Sequence, residues 1–138
     1  MINTTGTLLY LWHLSLDGAI SCPVYKEDVP ENVTHSYVLL RAEGGRSMNN
    51  KHSFADETVV IVDIVTVFQN NVDRSVCEYI DNEICNIILP TTINGLPTQN
   101  NMQFLNVKRE SFDYVYEDDG IRKYYRKVSR FTHYVHQK

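Results

Sequence analysis

A β-branched and mostly apolar run extends from Glu57 to Phe68, with the sequence ETVVIVDIVTVF. A strand that is apolar on both faces is typical of the centre of a sheet that is covered on both sides. Asp63 is the one charge between the ends of this run, and an unpaired carboxylate there would be costly. We therefore expect Asp63 to lie at the sheet margin, to accept hydrogen bonds, or to pair with a neighbouring cation.

Two other segments carry apolar residues at helical spacing. Residues 5–17 predict a short first helix, which Thr5 can cap and which Asp17 and Gly18 would end. Residues 72–89 predict a longer second helix with one apolar stripe. The polar residues between these apolar positions are expected on the solvent-facing side: Glu78, Asp81, Asn82 and Glu83.

Turn formers and polar residues dominate three segments, 19–35, 43–53 and 90–103, which we predict to be loops. A strand is predicted between the first two of them, over residues 36–42, where apolar and β-favouring residues cluster.

The chain closes with two strand-like segments of similar length, 104–117 and 121–135, on either side of Asp118-Asp119-Gly120. The predicted order of elements is therefore α-β-β-α-β-β. It defines one α+β domain over residues 1–138, in which one long helix and a short N-terminal helix pack on an antiparallel β-sheet that includes a long C-terminal β-hairpin.

Charge is divided unevenly between this hairpin and the rest of the chain. The segment from Arg122 onward holds six Lys or Arg and no Asp or Glu, whereas residues 1–121 hold seven Lys or Arg and seventeen Asp or Glu. The balance is +6 against −10, which sums to the net charge of −4. A basic arm on an acidic body suits docking onto copies of the same chain, and Lys or Arg interleaved with Tyr also suits nucleic acid.

The register of the hairpin decides how many of these cations remain available to bind a partner. A two-residue turn would place carboxylates opposite two of the arginines, in the pairs Glu117–Arg122 and Asp113–Arg126. The same register would oppose Arg109 and Arg130, a like-charge conflict that a β-bulge or a longer turn would relieve. The cations expected to remain for partners are Lys123, Lys127 and Arg130.

Catalytic and metal-binding patterns are missing from the sequence. It contains no GxGxxG, GxxxxGK[ST], GxSxG or HExxH, its five histidines are scattered, and its three cysteines form no CxxC pair. We therefore expect no enzymatic activity, no cofactor and no metal. The apolar run near the N-terminus, Leu8–Trp12, is too short to span a membrane, so we expect no membrane partner.

The order of elements and several landmarks resemble the tail-completion, or tail-terminator, family of tailed-bacteriophage neck proteins. The resemblance runs from about Leu8 to His136. Its landmarks are the extended segment with Val24-Tyr25 and Val29-Pro30-Glu31-Asn32, the strand Ser36-Tyr37-Val38-Leu39-Leu40, the acidic start Asp56-Glu57 of the long strand, the turn after Phe68, the helix from Asp73 and the closing hairpin.

The resemblance implies a noncatalytic virion protein that forms a homo-oligomeric ring in the phage neck or tail. Such rings join head and tail or complete the tail, and they are hexameric in long-tailed phages and can be twelvefold in short-tailed ones, including crAss-like phages. The implied partners are further copies of this chain, other neck, portal and tail proteins, and DNA that passes through the lumen without specific binding. Assembly would take place in the cytoplasm of the bacterial host.

A ring requires a heterologous interface, in which one patch of each subunit docks onto a different patch of the next. We expect charged residues of the hairpin and of the 43–53 segment to form it: Arg122, Lys123, Arg126, Lys127, Arg130, Asp118, Asp119, Arg46 and Lys51. The alternative is a small nucleic-acid-binding accessory protein that uses the basic hairpin, although a pI near 5.7 argues against a dedicated binder.

Overall fold

The computed structural model describes residues 4–31, 33–49, 54–89 and 102–137. These residues form two helices and five strands, in the order α1 (Thr4–Leu16), β1 (Val24–Lys26), β2 (Tyr37–Asn49), β3 (Phe54–Phe68), α2 (Arg74–Ile88), β4 (Met102–Asp118) and β5 (Lys123–Gln137). The α+β class and both helices are confirmed, and the C-terminal hairpin is confirmed in part, because β4 and β5 pair but their connection is longer than predicted. The predicted order lacks one strand, since β1 lies in a segment that we predicted to be loop.

All five strands belong to one sheet with the order β1-β2-β3-β5-β4. Strand β3 lies in the middle with two strands on either side, which confirms the prediction of a central strand. The sheet is not wholly antiparallel, because the short β1 pairs with β2 in parallel, Val24 lying opposite Val38. The remaining pairs of strands are antiparallel.

The predicted polar loop at 43–53 is largely β-structure. Strand β2 continues to Asn49 and β3 begins at Phe54, and the two remain paired across a β-bulge between Glu43 and Arg46. Backbone hydrogen bonds form a ladder without apolar side chains, so a polar sequence can extend a strand that the apolar pattern places shorter. Residues 50–53, and residues 90–101 of the other predicted loop, lie outside the described residues.

Helix α1 ends where the sequence predicts. Gly18 has a φ of 78°, a left-handed conformation that glycine adopts without steric cost, and the Asp17 amide donates to the carbonyl oxygen of His13 at 2.8 Å. Because the helix begins at Thr4, Thr5 lies inside it, and the prediction that Thr5 caps the helix is wrong.

Both helices contribute to a core on one face of the sheet. Strand β3 presents Val60, Val62 and Ile64 to this core, and Trp12 of α1 packs edge-on against Phe131 of β5 with ring centroids 5.1 Å apart. We call this face of the sheet the helix face. Alternation along β3 sends Asp63 and Val65 to the opposite face, which we call the open face.

Candidate assembly surface

The basic strand β5 is an interior strand, not a projecting arm. It pairs with β3 from Lys123 opposite Phe68 to Gln137 opposite Phe54, and along its other side it pairs with β4. The hairpin therefore contributes two strands to a larger sheet, with β4 at its edge. Two cations of β5 consequently face buried carboxylates of this chain.

Arg126 neutralises the unusual carboxylate of the central strand. Its guanidinium donates to both oxygens of Asp63, which is 2% exposed, and it also pairs with Glu117. The expectation that Asp63 has a charged neighbour is confirmed. The hydrogen bonds to Asp63 are the largest cause that raises the pKa of Arg126 above its ordinary value.

The predicted register of the hairpin is wrong by two residues. The strands end at Asp118 and begin again at Lys123, so four residues connect them and Asp113 lies opposite Val128 instead of Arg126. A bulge between Arg109 and Ser111 places Arg109 opposite Phe131. The longer connection, and not the bulge, relieves the predicted conflict between Arg109 and Arg130, because the shift of two residues already places Ser111 opposite Arg130.

The two aspartates of the connection hold its backbone. Asp118 accepts a hydrogen bond from the Gly120 amide at 2.9 Å, and Asp119 accepts from the amides of Ile121 at 2.9 Å and Arg122 at 2.6 Å. The bonds from Arg122 and Ile121 lower the pKa of Asp119. Gly120 has a φ of 87°, which favours glycine at this position.

Lys127 is buried on the helix face, so the expectation that it is available to partners is wrong. Its side chain reaches α2, where Nζ lies 2.8 Å from Asp81 and 3.2 Å from Glu78. Arg109 of β4 also pairs with Asp81. Burial alone would lower the pKa of Lys127, but hydrogen bonds to Asp81 and Tyr114 hold it above its ordinary value.

Asp81 therefore does not lie on the solvent face of α2, as its polarity predicts. It is 4% exposed and occupies the same helical stripe as Cys77 and Ile84. Burying a carboxylate there is tolerable because Lys127 and Arg109 converge on it from the hairpin. We call these residues, together with Glu78, the helix-hairpin cluster.

The remaining interface candidates lie in different environments. Arg130 pairs with Glu43 of β2 on the open face, where each side chain is 42% exposed. Arg122 and Lys123 take part in no ion pair among the described side chains. Arg46 lies in β2, and Lys51 lies outside the described residues.

Strand β4, the outer strand of the hairpin, is much more exposed than its partner β5. Every residue from 111 to 121 is exposed. Large apolar or aromatic side chains of β4 and the connection stand among them, namely Phe112, Tyr114, Val115, Tyr116 and Ile121, and Tyr79 of α2 is exposed as well. A contiguous exposed apolar surface is a candidate for contact with other macromolecules.

The exposed aromatic surface of β4 was not predicted from the sequence, because the interface candidates were chosen among charged residues. The signal was the period-two spacing of Phe112, Tyr114 and Tyr116, which places all three side chains on one face of a strand. The structure shows that face to be the helix face, beyond the area that α2 covers. Tyr114 marks the boundary, since its hydroxyl donates to Glu78 of α2 at 2.6 Å.

A cavity of about 360 Å³ lies on the open face beside the Asp63–Arg126 pair. Its walls come from the segment before β2, from the sheet and from the hairpin: Val29, Pro30, Val33, Tyr37, Leu39, Val65, Glu117 and Tyr124. The Asp63 carboxylate at this cavity is already paired, which makes it a poor general base. No group of three or more potential metal ligands occurs among the described residues.

Comparison with known proteins yields a likeness of fold. No protein-family model matches the sequence, and no curated protein matches it either. Among solved structures, a chain of the "Virion of native gene transfer agent (GTA) particle" is similar, with a TM-score of 0.59 and 11% sequence identity. The similarity covers 80% of this chain and 78% of that chain. At this identity the two chains share a fold.

Neither described helix is long and apolar enough to cross a membrane.

Proposed function

We propose that this protein is a structural, noncatalytic virion component that forms a homo-oligomeric ring in the neck or tail of a phage-like particle. The observation that carries the proposal is the likeness to a chain of a gene transfer agent virion, which spans four-fifths of this chain. In this role the ring surrounds DNA that passes through its lumen without specific binding, and it contacts portal, neck or tail proteins above and below.

The exposed surface of β4 supports the proposal. A virion component must bury surface against neighbours, and the aromatic row with Phe112 and Tyr116 offers apolar area that the described residues leave about half exposed. Arg122 and Lys123 follow this row in the chain and form no ion pair with a described side chain. We propose that these residues contact a neighbouring subunit or another virion protein.

The nucleic-acid alternative loses its main support. Arg126, Lys127 and Arg130 are paired with carboxylates of the same chain, so few of the hairpin cations remain to neutralise phosphates. A duplex would also meet the carboxylates of β4 at this end of the sheet. We therefore do not propose DNA binding as the function.

The test is to purify particles from the cells that encode this chain and to analyse them by mass spectrometry and negative-stain microscopy. We expect the full chain to copurify with the particles and to form a ring at the neck or tail. Absence from purified particles would contradict the virion assignment. A chain that stays monomeric both alone and with its portal or connector partner would contradict the ring.

DNA binding is measured in parallel with the purified protein at low and high salt. Tight binding at low salt that falls steeply as salt rises would favour the nucleic-acid alternative. Weak or undetectable binding at both salt concentrations is expected for a ring whose lumen lets DNA pass.

A further inference from the structure

The two edges of the sheet are unequally open. In the described part of the chain β4 pairs only with β5, so one side of all 17 residues of Met102–Asp118 carries no strand. At the opposite edge, β1 covers only Val38–Leu40 of β2, so no strand among the described residues pairs with the outer side of β2 from Arg41 to Asn49. Unpaired edges present rows of N–H and C=O groups that can bind another strand.

The second half of strand β4 carries little protection against such pairing. Natural edge strands are usually short, or they are interrupted by proline, lysine or bulges. The first half of β4 has two bulges and Lys108, but from Phe112 to Asp118 the strand pairs with β5 without interruption and contains no proline and no lysine. Its aromatic and β-branched residues favour extended structure. An edge with these properties is expected to be covered in the assembled state.

The two edges carry opposite charge. Strand β4 contains four carboxylates against Lys108 and Arg109, and Asp119 follows it directly. The strands of the opposite edge, β1 and β2, contain Lys26, Arg41 and Arg46 against one carboxylate, Glu43. One carboxylate at each edge is already paired within the chain, Glu117 with Arg126 and Glu43 with Arg130. One edge is therefore acidic, the other is basic, and they lie at opposite ends of the same sheet.

We propose that β4 of one copy pairs with the open edge of β2 in the next copy, so that the sheet continues from subunit to subunit around the ring. This inference rests on the proposed ring and names its interface. The occupant is a second copy of this chain because one molecule carries both complementary edges, as a heterologous, ring-closing contact requires.

Strand direction is consistent with this contact. Strands β2, β3, β5 and β4 alternate in direction across the sheet. A next copy in the same orientation therefore brings its β2 alongside β4 in antiparallel fashion. The alternation of the sheet continues through the contact, and the helix face and the open face stay on the same sides in every subunit.

The register within one subunit indicates which residues meet. Arg41 lies opposite Ile61, Ile61 opposite Arg130, and Arg130 opposite Ser111, so Arg41 and Ser111 lie at the same height on the open face. Docking without stagger would place Phe112–Tyr114 beside Val38–Leu40, where β1 already lies. A stagger of six residues keeps β4 up to Glu117 clear of β1 and brings Glu117 of one copy beside Arg41 of the next. A stagger of two or four residues brings Asp113 or Val115 beside Arg41 and requires the end of β4 to leave the sheet.

Cysteine cross-linking of the full-length protein tests the contact. Arg41→Cys is combined with Asp113→Cys, Val115→Cys or Glu117→Cys, and the purified proteins are oxidised with diamide and run on a non-reducing gel. Neighbouring strands bring side chains on one face close enough for a disulfide. We expect at least one double variant to give a ladder of cross-linked copies that ends at the ring number.

Controls separate this contact from chance oxidation. The parent protein reports on Cys22, Cys77 and Cys85, and the single variants lack one partner and should give no ladder. The matched control combines Arg41→Cys with Tyr116→Cys, which lies on the same strand but on the helix face. A ladder from this control as strong as that from the open-face pairs would overturn the proposed orientation.

The outcomes distinguish this inference from the proposed function. Absence of a ladder in all three double variants overturns the edge pairing, and rings seen by negative stain in those samples would show that another surface closes the ring. A specific ladder from a chain that is absent from purified particles supports the edge pairing and contradicts the virion assignment.

Discussion

Strands β4 and β5 belong to one hairpin, have similar lengths and carry opposite charge, yet the structure uses their charges in different ways. Three of the four cations in β5, namely Arg126, Lys127 and Arg130, pair with Asp63, Asp81 and Glu43 of the same chain. The carboxylates and aromatics of β4 lie at the sheet edge and are largely exposed. Charge in a sequence therefore indicates a docking surface only where the strand that carries it has an open side.

The largest expected effect comes from breaking the helix-hairpin cluster. In Asp81→Ala, Arg109 loses its carboxylate, and the buried Lys127 keeps only the half-exposed Glu78. Removing one partner of a buried ion pair costs roughly 3–5 kcal/mol. We expect the free energy of unfolding in urea to fall by about this amount. Asp113→Ala, at an exposed position of β4, should change it by less than about 0.5 kcal/mol.

A similar loss of stability in both aspartate variants would mean that β4 and β5 do not differ in the way described. The comparison is made on dilute protein, because oligomer formation would otherwise add a concentration-dependent term to the measured stability.

The second expected effect concerns cations of β5 itself. Arg126→Ala leaves the Asp63 carboxylate buried without its cation, and we expect a loss of about 3 kcal/mol in the free energy of unfolding. Lys123→Ala, near the connection, removes no ion pair of the described side chains and should cost less than about 0.5 kcal/mol. Equal unfolding midpoints for the two variants would contradict the internal role of Arg126.

A third expected effect is a loss of folding stability at low pH, caused by a buried histidine of β5. Burial lowers the pKa of His133 to about 3, and its Nε2 accepts a hydrogen bond from Trp12 Nε1 at 2.8 Å. The unfolded chain takes up this proton near the ordinary pKa of about 6.5, whereas the folded chain stays neutral until much lower pH. Stability is therefore lost as pH falls below 6.5, by about 2 kcal/mol at pH 5 relative to pH 7.

The pH effect is measured as the difference in unfolding free energy between pH 7 and pH 5 for the wild type and for His133→Gln, which keeps a hydrogen-bond acceptor for Trp12. The glutamine variant should lose less stability on acidification than the wild type. An unchanged loss would show that other groups cause it. His35→Gln, at an exposed position, serves as the matched control and should behave as the wild type.

The smallest effect is expected at the connection between the two strands. Gly120→Ala forces an L-residue into a left-handed conformation, although no atom lies within 4 Å of the added methyl group. We expect a cost of about 1 kcal/mol from backbone strain alone, measured by thermal unfolding. Asn tolerates this conformation better, so Gly120→Asn should cost less than Gly120→Ala. An alanine variant as stable as the wild type would argue against the left-handed conformation.

The elements with strong periodicity were predictable from the sequence. The apolar run at 57–68 gave the central strand, and helical spacing gave both helices. Strand β1 was not predictable, because three residues beside Pro23 carry no alternating pattern long enough to recognise. The extension of β2 through Gly44 and Gly45 was not predictable for a related reason, because backbone pairing there does not depend on apolar side chains.

The candidate surface was harder to predict than the fold. Sequence alone does not tell which strand of a hairpin lies inside a sheet, and this choice decides that Lys127 is buried while Tyr116 is exposed. One local signal was available, because Asp81 occurs at helical spacing from Cys77 and Ile84. A carboxylate in an apolar stripe indicates a buried cation nearby, and the hairpin supplies Lys127 and Arg109.

Hydrogen–deuterium exchange, followed by mass spectrometry on the free chain and on the assembled ring, compares the two strands most directly. The account predicts that amides of β5 are protected in both states, because β5 has a neighbour on each side. Amides along the open side of β4 should exchange rapidly in the free chain and become protected in the ring. Protection of β4 that does not change on assembly would contradict the claim that this edge joins the subunits.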